Sequence, residues 1–359
     1  MKKRHAKEPL RFPCGIEMNN RFMLAPLTNT QSHEDGTLSE DEYHWLTMRA
    51  KGNFGLVMTC ASHVQEIGKG FSGQLGIFSD AHIKGHKKLV KGIKKHGSLA
   101  VIQLHHAGMR SPATIINDQP ICPSENEEYG ARALSIEEVF QLRDDFVNAA
   151  LRAKKCGYDG VEVHGAHGYI LTQFISKEIN KRTDRYGGNL ENRTRLLYEI
   201  IHGIRNGCGE EFIIGVRLSP ERFGMDLHEV KEICTQLDRE GTIDFLDISL
   251  WDTFKMPEDE QYKDQSLLDH FTNLSFKKAL LTVAGKIKSG HDVNKVLERG
   301  VDFVTIGRSA ILHHDFPLRV LEDPGFTPKE LPVSSRYLGH EGLGKNFIDY
   351  LRKRQGFVE

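Results

Sequence analysis

Eight short apolar runs recur along the chain, and stretches with helical periodicity separate them. They fall at 21–25, 54–61, 98–105, 160–164, 212–218, 245–250, 281–284 and 303–306. Runs such as Phe212-Ile-Ile-Gly-Val216 do not alternate apolar with polar, as expected of strands covered on both faces of a parallel sheet. The stretches between them carry helix-start chemistry. Ser135 with Glu138 forms a capping box ahead of Val139, Leu142, Phe146, Ala150 and Ala153. Asp226 with Glu229 precedes Val230, Ile233 and Leu237, and Asn189 can cap a helix through Leu196, Leu197, Ile200 and Ile204. Val293, Val296 and Leu297 form a shorter helical stretch that Gly300 stops. Eight alternating β/α units close into a (β/α)₈ TIM barrel. The alternative is an open doubly wound sheet, which the lack of G-x-G-x-x-G after the first strand disfavours.

The chain has 359 residues, long for one average domain but ordinary for a barrel. No low-complexity linker divides it, so residues 1–359 are expected to be one domain, with a Pro- and Gly-bearing tail from about 315. Lys and Arg number 48 against 49 Asp and Glu, which gives no overall pull toward nucleic acid or an anionic membrane. No apolar stretch approaches the roughly 18 residues of a membrane span, and no apolar segment follows the basic start at 2–4. A cytoplasmic protein is therefore expected. The basic clusters at 2–4 and 352–354 read as solvated ends. The six cysteines are scattered, with no C-x-x-C pair, so zinc knuckles and iron–sulfur clusters are not expected.

In such a barrel, chemistry sits where strands end. The strand ends here carry Pro26, Leu27 and Thr28; Cys60; Gln103; His164, followed by His167 and Tyr169; Arg217; Gly285; and Gly307 with Arg308. Gly285, Gly307 and Arg308 follow strands seven and eight, where barrels often grip a phosphate; two tight turns and a surface arginine are the plainer reading. His164 and His167 fit three roles: metal ligands with Glu162, N–H donors to a substrate oxygen, or structural histidines. Tyr169 is protonated at neutral pH and can give a proton. Arg217, inside a strand, needs an anionic partner, either a ligand or a carboxylate. The Gln103 amide can both donate to and accept from a flat heterocycle.

These residues resemble the old yellow enzyme family of FMN-dependent NAD(P)H oxidoreductases. The resemblance spans nearly the whole chain. It is carried by His164-Gly-Ala-His-Gly-Tyr-Ile-Leu-Thr-Gln-Phe174, by Asn180-Lys-Arg-Thr-Asp-Arg-Tyr-Gly-Gly-Asn189 and by Glu191-Asn-Arg193. Asn20-Arg21, Ala25-Pro-Leu-Thr28, Gln103-Leu-His-His-Ala-Gly108 and Ile306-Gly-Arg308 support it. It implies bound FMN, with Pro26, Leu27, Thr28 and Cys60 along the flavin edge. Gln103 would bond the pyrimidine part and Arg217 would face N1 and the C2 carbonyl. Gly285, Gly307 and Arg308 would hold the phosphate. Many relatives have Cys where this chain has Thr28, and others have Asn in place of His167.

The implied mechanism is ping-pong. NADH or NADPH reduces the flavin, and a small-molecule electron acceptor such as an enone then takes hydride from N5. His164 and His167 would polarise its oxygen while Tyr169 protonates the α-carbon. A nitro, quinone or flavin reductase without alkene chemistry is the alternative. More distant are a metal hydrolase using Glu162, His164 and His167, and a binder without turnover. Trp251 and the polar segment 253–265 match no motif and would rim the pocket or cover a strand end. The tail is a candidate to cross a subunit interface, as in some relatives, in a homo-oligomer.

Overall fold

The computed structural model describes residues 4–359. Eight parallel strands close into a barrel. They are β1 (Phe22–Leu24), β2 (Leu56–His63), β3 (Leu99–His105), β4 (Gly160–Gly165), β5 (Ile213–Leu218), β6 (Phe245–Ser249), β7 (Leu280–Ala284) and β8 (Phe303–Ile306). β8 pairs with β1, which closes the ring. Each strand overlaps an apolar run of the sequence, and β2 extends two residues beyond its run. Helices α1 (Glu40–Lys51), α2 (Ile83–Lys94), α3 (Ile136–Cys156), α4 (Leu190–Cys208), α5 (Leu227–Glu240) and α6 (Gly290–Glu298) wrap the outside. After β6 the crossover shrinks to the single turn Asp269–Thr272.

The caps form as their residue types dictate. Ser135 and Glu138 close a full capping box on α3, and the Asn189 side chain accepts from the Asn192 amide at the start of α4. Asp226 caps α5, but the Glu229 carboxylate turns away to pair with Arg193 at 2.7 Å.

Alternation along the strands sorts the inward side chains into levels. Where the strands begin, Met23, Leu56, Met58, Val101, Ile213, Phe245 and Phe303 form an apolar floor. An N-terminal hairpin (Leu10–Arg11 with Glu17–Met18) brings Phe12 under it, with ring centroids 6.0 Å from Phe245 and 5.8 Å from Phe303. The next level is polar, with Gln103, Glu162, Asp247, Thr282 and Thr305 all buried. The level at the mouth carries His105, His164, Arg217 and Ser249.

The tail folds back onto the same barrel. Helix α7 (Lys345–Arg352) packs Phe347 against Trp45, with ring centroids 5.0 Å apart at 88°. The Gly344 amide donates to Gln31 Oε1 at 2.7 Å, beside the loop after β1. The basic cluster at 352–354 is exposed, as expected of a solvated end, and Arg4 is half-buried. Lys2 and Lys3 lie outside the described residues, and Arg4 pairs with Asp302 at 2.8 Å. Arg352 pairs with Asp349, and Arg354 reaches the barrel mouth. No helix among the described residues is long and apolar enough to cross a membrane.

Candidate active site

A cavity of about 660 Å³ opens at the carboxyl ends of the strands. It gathers Pro26, Leu27 and Thr28 after β1, Gln103 on β3, His164, His167 and Tyr169 at β4, Arg217 on β5, Gly285 after β7, and Gly307 and Arg308 after β8. Cys60 does not reach it. A β-bulge between Met58 and Ala61 sets one extra residue against β3, so Ala61 faces the cavity. The Cys60 thiol instead points at Glu42 Oε1, 3.2 Å away, and burial with that neighbour pushes its pKa far above the ordinary thiol range.

The two ends of the cavity differ in charge. At one end, a Cβ at Gly307 would stand 3.7 Å from Leu27, in ordinary van der Waals contact. Gly285 holds a φ of +152°, and a Cβ there would meet the Trp251 backbone at 2.9 Å. Lys288 and Arg308 line this end, and Arg308 has no carboxylate partner among the described residues. Such a glycine-flanked cationic recess suits a phosphate. At the other end Arg217 and Gln103 come up from the barrel interior. Gln103 donates to Glu162 at 2.5 Å. Arg217 Nε lies 3.2 Å from Asp247 Oδ2 yet has no aligned hydrogen-bond acceptor. A basic phosphate recess at one end, with a buried amide and guanidinium at the other, fits FMN.

The β4 motif stands over the centre. Ala166 N–H donates to His164 Nδ1 at 3.2 Å, which leaves the His164 proton on Nε2. That atom lies 3.3 Å from His167 Nδ1, and His167 Nε2 lies 2.7 Å from Ser249 Oγ. The network thus runs His164 to His167 to Ser249. Both imidazoles are held well below the ordinary histidine pKa; burial dominates, with His167 and Arg217 adding to it at His164, and Arg217 and Arg110 at His167. They are therefore neutral donors at neutral pH. Tyr169 packs edge-on against His105 at 4.4 Å and His164 at 5.2 Å, and burial raises its pKa. His167 itself sits at a φ of +63°, as does Trp251, with Phe223 at +56° and Lys286 at +51°. These four cavity residues are held in backbone conformations that cost about 1–3 kcal/mol each.

A metal reading finds no support here. Among the described residues, the one cluster close enough to ligate an ion is His314, Asp315 and Glu341, away from Glu162, His164 and His167. Trp251 lines the cavity rim at 49% exposure, with Arg222 4.7 Å over its ring. The 253–265 segment stays off the cavity and pairs Lys255 with Glu221 and Glu258 with Arg222.

Several cavity residues escaped the sequence reading. Arg110 lies two residues past the Gln103–Gly108 string, and Lys286 and Lys288 lie within three residues after Gly285, so proximity to those motifs was a usable signal. Tyr350 and Arg354 come from the tail, and nothing local in the sequence marks them.

The sequence profile of the NADH:flavin oxidoreductase / NADH oxidase family matches residues 8–323. The probable NADH-dependent flavin oxidoreductase YqiG of Bacillus subtilis is 36% identical over 88% of this chain and 87% of that protein. An NADH:fumarate oxidoreductase of Klebsiella pneumoniae is 31% identical over 87% of this chain, which spans 35% of that protein. The solved structure of an old yellow enzyme homologue from Zymomonas mobilis superposes with a TM-score of 0.80 at 27% identity, covering 97% of this chain and 99% of the other.

Proposed function

The chain belongs to the NADH:flavin oxidoreductase / NADH oxidase family, that of the old yellow enzymes, and from that premise we propose that it reduces electron-poor alkenes such as enones. NAD(P)H is the reductant, and FMN, when bound, supplies the hydride chemistry. Pro26, Leu27 and Thr28 would line the flavin edge, and Gly285, Gly307 and Arg308 would hold its phosphate. Gln103 and Arg217 would face the pyrimidine part, where a fixed cation stabilises charge gathered on reduction.

The observation that carries the alkene reading is the grouping of His164, His167 and Tyr169 in one cavity above Gln103 and Arg217. His164 Nε2–H is a neutral donor, which a bound carbonyl oxygen would accept in place of His167 Nδ1. Polarising that oxygen makes the β-carbon of the alkene electrophilic. Tyr169, kept protonated by burial, would deliver a proton to the α-carbon.

Anaerobic stopped-flow with NADH and NADPH, followed by a panel of enones, nitro compounds and quinones, tests this. In Tyr169→Phe, flavin bleaching should keep its rate while enone turnover falls about 10²–10⁴-fold. Equal losses in both half-reactions would remove Tyr169 from the proton-donor role. Reoxidation by quinones or nitro compounds without any saturated product from enones would overturn the alkene reading.

A further inference from the structure

One set of buried charges has no part in that chemistry. Glu162 on β4 and Asp247 on β6 are both 0% exposed in the polar level below the cavity. Between them, β5 carries Gly215 in register with Glu162 and Arg217 in register with Asp247. No β5 side chain therefore stands beside Glu162 at its own level. The groups that face the pair are few. β5 supplies Arg217 and β3 supplies Gln103. β7 supplies Thr282, in register with Asp247, and β8 supplies Thr305, hydrogen-bonded to Thr282 at 2.8 Å. The titratable groups one level nearer the mouth, His164 and His105, are held neutral by burial.

Two carboxylates against one guanidinium would leave this level with an uncompensated buried charge, which is costly. Hydrogen bonding leads to the same point. Glu162 Oε1 and both Asp247 oxygens have no donor among the described residues, and a carboxylate can only accept. A proton on one carboxyl turns that oxygen into a donor toward the other and removes the excess charge.

We propose that Glu162 and Asp247 hold one proton between them, as a positioning pair that leaves a single counter-charge for Arg217 and keeps its guanidinium facing the flavin edge. Burial and the Asp247 charge push Glu162 up to about 8. Above that pH the oxidised protein gives the proton up. Reduction by NAD(P)H adds negative charge across Arg217 from the pair, and this draws the proton back from solvent. Below the titration, two electrons enter with one proton, taken by the ring. Above it, two electrons enter with two protons, the second forming an O–H bond on the pair. The inference needs bound FMN but no particular acceptor, so it fails separately from the alkene reading.

The test is the midpoint potential of the flavin in the holoenzyme against pH, by anaerobic titration with redox dyes. The wild-type line should steepen near pH 8 by one proton per two electrons. That is tenfold per pH unit, or about 30 mV, and Glu162→Gln should abolish the break. Redox-difference infrared spectra should show a deuterium-sensitive carboxylic-acid carbonyl band that Glu162→Gln removes. Asp247→Asn provides the same test if the first variant does not fold. A wild-type line of constant slope into alkaline pH would overturn the proposal, as would a break that survives in both variants.

Discussion

The guanidinium of Arg110 lies 5.0 Å from the centre of the Tyr169 ring, and the same group donates to the backbone carbonyl of His167. One exposed cation therefore touches both the proposed proton donor and the strained residue beside it. Burial raises the Tyr169 pKa, and the Arg110 charge opposes that rise. Arg110→Ala should make Tyr169 a weaker acid and slow enone turnover several-fold, consistent with about 0.5–1 kcal/mol for an exposed cation–π contact. Flavin reduction should be spared, and Arg110→Lys should recover part of the loss. An unchanged acceptor half-reaction would detach Arg110 from the chemistry.

His164 offers one N–H to the cavity because Ala166 occupies its other nitrogen. His164→Ala should weaken phenol and enone binding up to about tenfold, the worth of roughly 1 kcal/mol per neutral hydrogen bond. Flavin content should not change. Titration of the phenol charge-transfer band measures the first, and the visible spectrum of the purified variant the second.

Arg308 tests the phosphate recess. Hydrogen bonds to charged groups contribute about 1.5–3 kcal/mol, so Arg308→Ala should weaken FMN binding to the apoprotein by about 10–100-fold. Riboflavin, which lacks the phosphate, should bind wild type and variant alike. Parallel losses for both flavins would place Arg308 elsewhere in the site.

Acid should destabilise this fold early. Seven histidines carry lowered pKa values, chiefly through burial: His63 and His86 at about 4, His106 at about 3, His105, His164 and His167 well below the ordinary value, and His313 below it. The unfolded chain binds protons at these positions from about pH 6.5 downward, and the folded chain does not. Stability is therefore fully present above pH 6.5 and is lost as pH falls toward 3–4. Each histidine contributes about 1.4 kcal/mol per pH unit inside that window. Urea midpoints should drop steeply between pH 7 and 5, and a flat profile over that range would contradict the burial of these rings.

The barrel was legible in the chain because each strand is encoded locally. A short unalternating apolar run with a capped amphipathic helix behind it needs no distant contact to be recognised, and all eight runs became barrel strands. Most of the cavity was legible for the same reason, since Gln103, His164, Arg217 and Gly307 lie at strand ends. Cys60 was misplaced because a bulge shifts which side chain faces inward, and strand periodicity does not reveal where the extra residue falls. The sequence left Glu162 open as a metal ligand beside two histidines, one reading among three, whereas the closed barrel sets it against Asp247, 85 positions along the chain. Tyr350 and Arg354 reach the cavity only because Phe347 anchors the tail on Trp45. Residue types and their spacing therefore determined the strands and the chemistry available at their ends. Tertiary closure alone decided which charges share a buried level, which of them must hold a proton, and which part of the tail covers the mouth, because desolvation and long-range packing exist only once the ring is shut.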